Sequence, residues 1–432
     1  MTLTLTKGCF TQNLSRIIEL ENNLFFELLQ VALGNRDRLS VAPSAEEWAK
    51  IYAESERQAV SGVLLHGIER LKNADLRSAT TGDACQSKNL DQMLLLEWIG
   101  VGQMIEQWNQ VMDERCLDLL KRLSDYGLQG VILKGQGIAR LYNFDLNLND
   151  KLDKKGDLGR LRQSGDIDVY VHCGLRKALE FAESLGQKNV EWDYKHLHLK
   201  LWDDTEVEMH YHVEVLLNLW KNRKLQKWFK EHETELFAHA NDNLNARSAM
   251  PLGLSKNLNL NLKANTDRTN DTNRFVTPTV EFNVFYILLH IYRHFLYEGV
   301  GFRQVIDYYF VLKNLNDNLN VNESYAYKAV REFGMTRFAR GLMWVMHEVL
   351  GMPREWMLWE PDEKEGRYIL EQVMTGGNFG HHDERLKHSG GKLGAVKAIL
   401  THNMHLLTHY PSDVIWAPVW IVWHKLWKLT RR

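Results

Sequence analysis

The chain has 432 residues, 44% of them hydrophobic and 25% charged, which predicts a soluble globular protein of two or three domains. Lys and Arg number 53 against 55 Asp and Glu, so no global charge would draw in nucleic acid or an anionic membrane. A polyanion would have to be bound by local groups, and the near-neutral charge argues mildly against long nucleic acid.

The N-terminal residues and the cysteines predict a cytoplasmic protein. Sequence MTLTLTKGCF lacks the basic-then-apolar plan of a signal peptide, and no stretch reaches the ~18 uncharged apolar residues of a membrane-spanning helix. The cysteines are far apart, which excludes close zinc or redox pairs and favours a reducing compartment. They are Cys9, Cys85, Cys116 and Cys173.

Residues 1–127 are predicted to form an N-terminal helical block. Apolar positions return every three or four residues in runs 14–33, 48–71 and 90–127. Gly127 stands where a left-handed helix cap belongs.

Residues 128–240 are predicted to form an α/β core. GVILKG and DIDVYV read as strands, RKALEFAESLG as a helix ending at Gly186, and HLHLKLW with TEVEMHYHV as a hairpin that turns at Asp203 and Asp204. The fold class is therefore α+β: a small mixed sheet with helices, flanked by helical blocks.

Residues 241–274 are rich in Asn and are predicted to be a mobile insertion, with an edge strand in NLNLNL as the alternative. The helical period returns over 275–432. Its tail carries Trp416, Trp420, Trp423 and Trp427 at helical spacing beside basic residues, which favours a helix docked on the protein over a weak interfacial contact with a membrane.

Three acidic residues suggest a metal site. Asp166 and Asp168 are two apart on a predicted strand, so both side chains project from one face while Ile167 faces the core. Glu208, on the predicted hairpin, could complete a three-carboxylate cluster. Close carboxylates repel each other unless Mg²⁺ or Mn²⁺ lies between them, and two such ions stabilise in-line displacement at phosphorus.

The segment LKGQGIARLY could bind a triphosphate. Gly135 and Gly137 allow close approach of a phosphate at the start of a helix, and Lys134 supplies a cation. Arg162, just before the acidic strand, is a second candidate. A DxD pair or a glycine turn is common without any ligand, so the prediction depends on the combination.

Histidines accompany the acidic residues. His196, His198, His210 and His212 alternate along the hairpin and could bind zinc, although a substrate contact or a structural role is more usual. His290, Arg293 and His294 share one helical turn. With Arg303 they would either meet the nucleotide or acceptor, or be neutralised by Asp307 or Glu298.

These motifs resemble the bacterial nucleotidyltransferase family of the polymerase-beta-like superfamily, whose members are known as uncharacterised nucleotidyltransferases. The resemblance spans most of the chain. Its three motifs fall on Leu133, Lys134 and Gly135, on Arg162, Gly165, Asp166, Ile167 and Asp168, and on Val207, Glu208 and His210.

The resemblance implies a minimal nucleotidyltransferase fold and Mg²⁺-dependent transfer of a nucleoside monophosphate from an NTP. It implies catalytic and metal-binding roles for Asp166, Asp168 and Glu208. The nucleotide-binding residues would be Lys134, Gly135, Gln136, Gly137, Arg162, Gly165 and His210. Two departures are a long loop from Tyr142 to Arg162, and Gln136 in place of the usual serine.

The first hypothesis is therefore an enzyme whose acceptor is a small metabolite, a sugar, a protein side chain or an RNA end. In this hypothesis Glu208 also takes the acceptor's proton. The alternative is a nucleotide-binding regulatory or partner-binding protein with little turnover, and phosphodiester hydrolysis at the same metals is a third interpretation.

Overall fold

A computed structural model describes residues 24–78, 86–143, 158–237, 275–315, 324–378 and 406–431. The predicted insertion at 241–274, its alternative edge strand and most of the loop after Tyr142 lie outside these residues.

From residue 24 onward the N-terminal helices follow the predicted runs with one difference, and residues 14–23 of the first run lie outside the described residues. The helices are α1 (Leu24–Leu33), α2 (Ala45–Arg57), α3 (Ser61–Ser78) and α4 (Gln92–Asp125). The second run was predicted as continuous, but it breaks at Ala59, whose φ is +55°. Apolar periodicity continues through this break, so the pattern alone does not reveal it. Gly127 has a φ of +80°, which confirms the predicted cap.

The sheet has four strands: β1 (Gly130–Ile132), β2 (Ile167–Val171), β3 (His196–Trp202) and β4 (Thr205–His210). Their order is β1-β2-β4-β3, with β2 parallel to β4 and both edge strands antiparallel to their neighbours. The short α5 (Gln136–Ala139) follows β1, and α6 (Leu175–Ser184) crosses from β2 to the hairpin. This mixed sheet among helices confirms the α+β class.

Further helices follow the sheet in the described residues. They are α7 (Leu219–Glu231), α8 (Glu233–Leu236), α9 (Val280–Tyr297), α10 (Phe302–Lys313), α11 (Tyr325–Glu332), α12 (Thr336–Trp344), α13 (Glu363–Gly376) and α14 (Pro411–Leu429). Two of them, α7 and α8, precede residue 275, and those from α9 onward lie in the sequence where the helical period returns.

The sheet has one apolar and one polar face because its residues alternate. Ile167, Val169, Val207 and Met209 are buried against α4 and α6 in one hydrophobic cluster. A second, larger cluster contains residues of both the N-terminal and the C-terminal helices. The helices before and after the sheet therefore share a core, and the polar face of the sheet looks toward them.

The C-terminal helix α14 docks on the protein. The rings of Trp420, Trp423 and Trp427 lie 5.5, 5.1 and 5.1 Å from the Tyr194 ring, and Lys428 donates a hydrogen bond to the Trp192 carbonyl. The docked interpretation is thus confirmed. An opposite stripe is exposed (Ile415, Val419, Val422, Leu426 and Leu429), so weak contact with a membrane surface stays a prediction. Among the described residues, none of the helices combines the length and apolarity needed to cross a membrane.

The close approach of α3 to the turn before β2 provides a test of this packing. A Cβ at Gly62 would lie 2.1 Å from the Leu161 carbonyl oxygen, whereas a Cβ at Gly100 in α4 would meet nothing within 4 Å. We expect Gly62→Ala to lower the free energy of unfolding by about 1–3 kcal/mol. Gly100→Ala should leave it unchanged or raise it by up to about 1 kcal/mol. Urea unfolding measures both, and equal effects would contradict the packing described.

Candidate active site

The register of two parallel strands brings Asp168 and Glu208 side by side. Asp168 in β2 is the Cα partner of Glu208 in β4, so both side chains leave the polar face at the same level. His210 Nε2 lies 3.0 Å from Asp168 Oδ1 and 3.2 Å from Glu208 Oε2. The predicted pair of acidic side chains from neighbouring strands is therefore assembled around one imidazole nitrogen.

Lys134 enters the same cluster from the turn after β1. The Leu133 N–H donates to the Asp168 carbonyl, which holds this turn beside β2, and Gly135 adopts a φ of +59° that favours glycine. Lys134 Nζ then lies 3.0 Å from Asp168 Oδ1. The cation predicted for a triphosphate is thus paired with a carboxylate of β2.

Asp166 lies at the rim of this cluster, directly before β2. It lines the cleft together with Lys134 and Gly165, while Asp168 is 2% exposed. Burial and the charge of Asp166 raise the pKa of Asp168, against the opposing effects of Lys134 and His210. The repulsion between Asp166 and Asp168 is therefore only partly offset by Lys134 and His210.

The charged groups around Asp168 shift the pKa values of Lys134 and Glu208 so that both side chains are charged. Burial alone would lower the pKa of Lys134, but Asp168, Asp166 and Glu208 hold it well above its ordinary value. Burial would raise the pKa of Glu208, yet the hydrogen bond from His210 and the charge of Lys195 keep it well below its usual range. Glu208 is thus an anion and Lys134 a cation near neutral pH.

The donor set fits a divalent cation. Asp168, Glu208 and His210 each offer one ligand atom, all within 4.8 Å of one another. Asp168 Oδ2 is buried and has no hydrogen-bond partner among the described residues. A buried carboxylate oxygen without a donor is costly unless a cation or water satisfies it. His210 lies with the carboxylates, and its contact with the nucleotide stays a prediction.

A cleft of about 620 Å³ opens beside the cluster. Its walls include Asp166 and Glu208 from the sheet and Arg293 and His294 from α9. A narrower recess continues from Lys134 and Gly165 toward Arg303 in α10. The cleft therefore lies between the polar face of the sheet and the C-terminal helices.

Arg162 is engaged within the protein. Its Nε and Nη2 donate to Asp307 Oδ1 and Oδ2 at 2.6 and 2.7 Å, and the Tyr142 hydroxyl donates to the same carboxylate at 2.7 Å. Both Arg162 and Asp307 are more than nine-tenths buried. This bidentate pair ties the turn before β2 to α10. Arg162 also lines the recess beside Lys134, so its contact with phosphate stays a prediction.

Gln136 and Gly137 lie behind the glycine turn. The Gln136 side chain is 5% exposed, donates to Asp113 Oδ1 at 2.7 Å and accepts from the Ser164 hydroxyl. A Cβ on Gly137 would lie 2.8 Å from the Ile132 carbonyl oxygen. Neither residue lines the described cleft; both pack behind the turn, and their contact with the nucleotide stays a prediction.

Glu214 is a residue that the sequence analysis missed. It is 1% exposed, and its carboxylate contacts His290 Nδ1 at 3.2 Å, Arg293 Nη1 at 2.8 Å and Lys195 Nζ at 3.7 Å. These charges keep the pKa of Glu214 well below its ordinary value although burial opposes them. A single acidic residue in the apolar stretch VEVLL was the available signal.

His294 and Arg293 in α9 are neutralised by Glu298, as one of the two interpretations predicted. His294 Nδ1 lies 2.8 Å from Glu298 Oε2, and Arg293 bridges Glu298 and Glu214. Both residues nevertheless line the cleft. They are thus held in place by acidic partners while facing the space above the carboxylates.

The hairpin histidines separate into two groups. His196 Nε2 and His198 Nε2 lie 3.2 Å apart beside Glu208. His212 Nδ1 instead donates to the Tyr194 carbonyl at 2.7 Å, and its ring stacks on the Tyr194 ring. Strand β4 ends at His210, which is why His212 leaves the shared face. Burial and the neighbouring His210 lower the pKa of His196 to about 3, so its imidazole is neutral near pH 7.

A family model described as an uncharacterised nucleotidyltransferase matches residues 251–351. The resemblance to uncharacterised nucleotidyltransferases is confirmed for this segment, and its extent over most of the chain stays a prediction. The match includes α9 and α10, which supply Arg293, Arg303 and Asp307 to the site, but not the strands that carry Asp168 and Glu208. It supports nucleotidyl transfer as the general activity. No curated protein and no solved structure matches the chain.

Removing one partner of the buried Arg162–Asp307 pair should destabilise the protein strongly. Asp307→Asn leaves the guanidinium without its counter-charge, and we expect a loss of about 3–5 kcal/mol in the free energy of unfolding. The double variant Arg162→Met with Asp307→Leu should recover much of it. Asp118→Asn, which removes a surface partner of Arg122, is the matched control. A loss below about 1 kcal/mol for Asp307→Asn would show that the pair is not isolated from water.

Proposed function

We propose that the protein transfers a nucleoside monophosphate from an NTP to an acceptor, with Mg²⁺ or Mn²⁺ held by Asp166, Asp168 and Glu208. The observation that carries the proposal is the pairing of Asp168 with Glu208 on adjacent parallel strands, with Lys134 3.0 Å from the Asp168 carboxylate. Oxygen donors of this kind are those that Mg²⁺ prefers. The family match supports the same general reaction.

The cation would supply charge neutralisation at the α-phosphate and acidify the attacking hydroxyl. The protein's part is to position the ligands. β2 and β4 hold Asp168 and Glu208 rigidly, and the Arg162–Asp307 pair anchors the segment that carries Asp166. Sites on strands are better defined than sites on free loops.

The triphosphate would lie in the recess beside Lys134. Gly135 and Gly165 line this recess without side chains, so phosphate oxygens can approach the backbone. Arg303 lines the same recess from α10 and adds positive charge. When the triphosphate arrives, Lys134 can exchange its contact with Asp168 for the β- and γ-phosphates.

The chemistry balances at the α-phosphorus. The acceptor oxygen forms a bond to this phosphorus, the bond to the α–β bridging oxygen breaks, and pyrophosphate leaves with that electron pair. The acceptor's proton passes to one of the two carboxylates of the proposed metal site that line the cleft, Asp166 or Glu208. Lys134 and Arg303 stabilise the charge that develops on the departing pyrophosphate.

The cleft suits an acceptor that presents a hydroxyl group, whether a small metabolite, a sugar, a protein side chain or an RNA end. Its volume of about 620 Å³ falls within the range of small-molecule sites. We also propose that the protein acts in the cytoplasm. The exposed stripe of α14 would make weak contact with a membrane surface.

Loss of the carboxylates should abolish transfer. With an NTP labelled at the α-phosphate, cell extract and Mg²⁺, we expect the protein to move label to an acceptor and Asp166→Asn with Asp168→Asn to reduce this by at least about 1,000-fold. Asp118→Asn, an exposed acidic residue in α4, should transfer label as the wild type does.

Parallel reactions with the γ-phosphate labelled distinguish the competing activities. Transfer of the γ-label to an acceptor would indicate a kinase. Release of free nucleoside monophosphate from the α-labelled NTP would indicate a hydrolase. NTP binding without any turnover would favour the regulatory alternative. Label transfer that survives the double substitution would contradict the proposed site.

Lys134 should act on the triphosphate. Lys134→Met keeps the length of the side chain but removes its charge, and we expect kcat/KM for the NTP to fall by about 100-fold or more. Lys121→Met, which changes an exposed lysine of α4, is the control. Steady-state kinetics measure both variants, and urea unfolding shows whether Lys134→Met is folded. A folded Lys134→Met enzyme with unchanged kcat/KM would contradict the assignment.

A further inference from the structure

We propose that His196, His198 and Glu208 bind a second metal ion, of the class that imidazole prefers, such as Zn²⁺ or Co²⁺. The site lies on the β3–β4 hairpin beside the carboxylate cluster. It does not depend on nucleotidyl transfer, because its ligands, apart from Glu208, are not used in the proposed reaction.

The hairpin register places the three side chains together. His198 in β3 is the Cα partner of Glu208 in β4, and His196 is two residues away on the same face. Directly opposed side chains in an antiparallel pair are close neighbours, so this arrangement is set by rigid backbone pairing. One ligand atom from each of the three residues lies within 4.8 Å of the other two.

The separations fit a bound ion. An ion about 2.1 Å from each ligand atom, with tetrahedral angles, separates those atoms by about 3.4 Å. His196 Nε2 lies 3.2 Å from His198 Nε2 and 3.6 Å from Glu208 Oε1. Little movement would therefore be needed to admit the ion.

Glu206 provides a second, independent indication. Its Oε1 lies 2.8 Å from His198 Nδ1, so this nitrogen carries the proton and donates to the carboxylate. The lone pair of His198 is then on Nε2, which faces His196 and Glu208. A carboxylate that orients a histidine through its other nitrogen is the usual partner of a metal-binding imidazole.

The two oxygens of Glu208 face two different groups. Oε2 lies 3.2 Å from His210 Nε2, within the carboxylate cluster, whereas Oε1 faces His196. Glu208 can therefore serve both sites. Two nitrogen donors and one oxygen favour a transition metal over Mg²⁺ at the hairpin.

The hairpin site is open on one side. His196, Glu206 and Glu208 all line the cleft of about 620 Å³, which supplies an entry path and room for a further ligand. Three protein ligands with an open position are typical of metal sites that bind water or substrate. The expected additional ligand is an oxygen atom of the molecule in the cleft.

Metal binding to the full-length protein, stripped with a chelator, tests the site directly. Co²⁺ is titrated by its visible absorption and Zn²⁺ by calorimetry, in the absence of any nucleotide. We expect one Co²⁺ with nitrogen ligands in the wild type, and His196→Gln or His198→Gln should weaken its binding by at least about 100-fold. Glu206→Gln should weaken it by about tenfold, because the exposed Glu206 acts through His198.

His212→Gln and Asp168→Asn are the controls. His212 lies on the same hairpin but stacks on Tyr194, so its loss should leave Co²⁺ binding unchanged. Asp168→Asn should abolish nucleotidyl transfer and retain the Co²⁺ spectrum, which separates failure of this proposal from failure of the proposed function. Urea unfolding of each metal-free variant shows that it is folded.

Three results would overturn the proposal. A folded wild-type protein that binds no Co²⁺ or Zn²⁺ would exclude the site. Unchanged binding in folded His198→Gln would exclude its ligands. Loss of the Co²⁺ spectrum in Asp168→Asn but not in His198→Gln would show that the ion occupies the carboxylate cluster.

Discussion

The mutual repulsion of closely spaced carboxylates is the constraint on which the site depends. Parallel pairing of β2 with β4 places Asp168 opposite Glu208, and Asp166 lies two residues before Asp168. Unbalanced charge at this spacing would destabilise the folded protein, so positive groups must accompany it. Lys134 and His210 supply part of that charge, and the buried Asp168 Oδ2 remains without a hydrogen-bond donor among the described residues. A divalent cation would complete the balance, which links the folding requirement of this sheet to its proposed chemistry.

The C-terminal helices supply charged partners for residues that flank the acidic strands. Asp307 in α10 binds Arg162 through both oxygens, and Arg293 in α9 binds Glu214, which follows β4. Arg162, Asp307 and Glu214 are buried and Arg293 is partly buried. Each pair joins the chain next to an acidic strand to a helix on the far side of the cleft. These helices lie inside the segment that matches uncharacterised nucleotidyltransferases, although the acidic strands do not. The matched segment thus contributes to the site mainly through the groups that orient the strands and face the cleft.

Local patterns in the sequence predicted the helices and strands. They did not predict which side chains lie next to each other at the site, because this depends on the register of the strands. Alternation in TEVEMHYH placed Glu206, Glu208 and His210 on one face, as β4 has them, but a strand's end is decided by its pairing partners. His212 therefore turned out to stack on Tyr194. Arg162 shows a second limit: an arginine beside acidic residues suits a phosphate or a carboxylate equally well, and Asp307 lies 145 residues away in the chain. Long-range ion pairs leave no periodicity to detect.

Glu208 connects the two parts of this polar face. Its pairing with Asp168 on one side and His198 on the other follows from its place in the central strand β4, between β2 and β3. A residue on an edge strand could have only one such neighbour. Because each oxygen of the carboxylate faces a different group, any ion bound at the hairpin would withdraw negative charge from the oxygen shared with His210. Occupancy of the histidine site would therefore alter the affinity of the carboxylate cluster for its own cation, and by linkage the reverse holds as well.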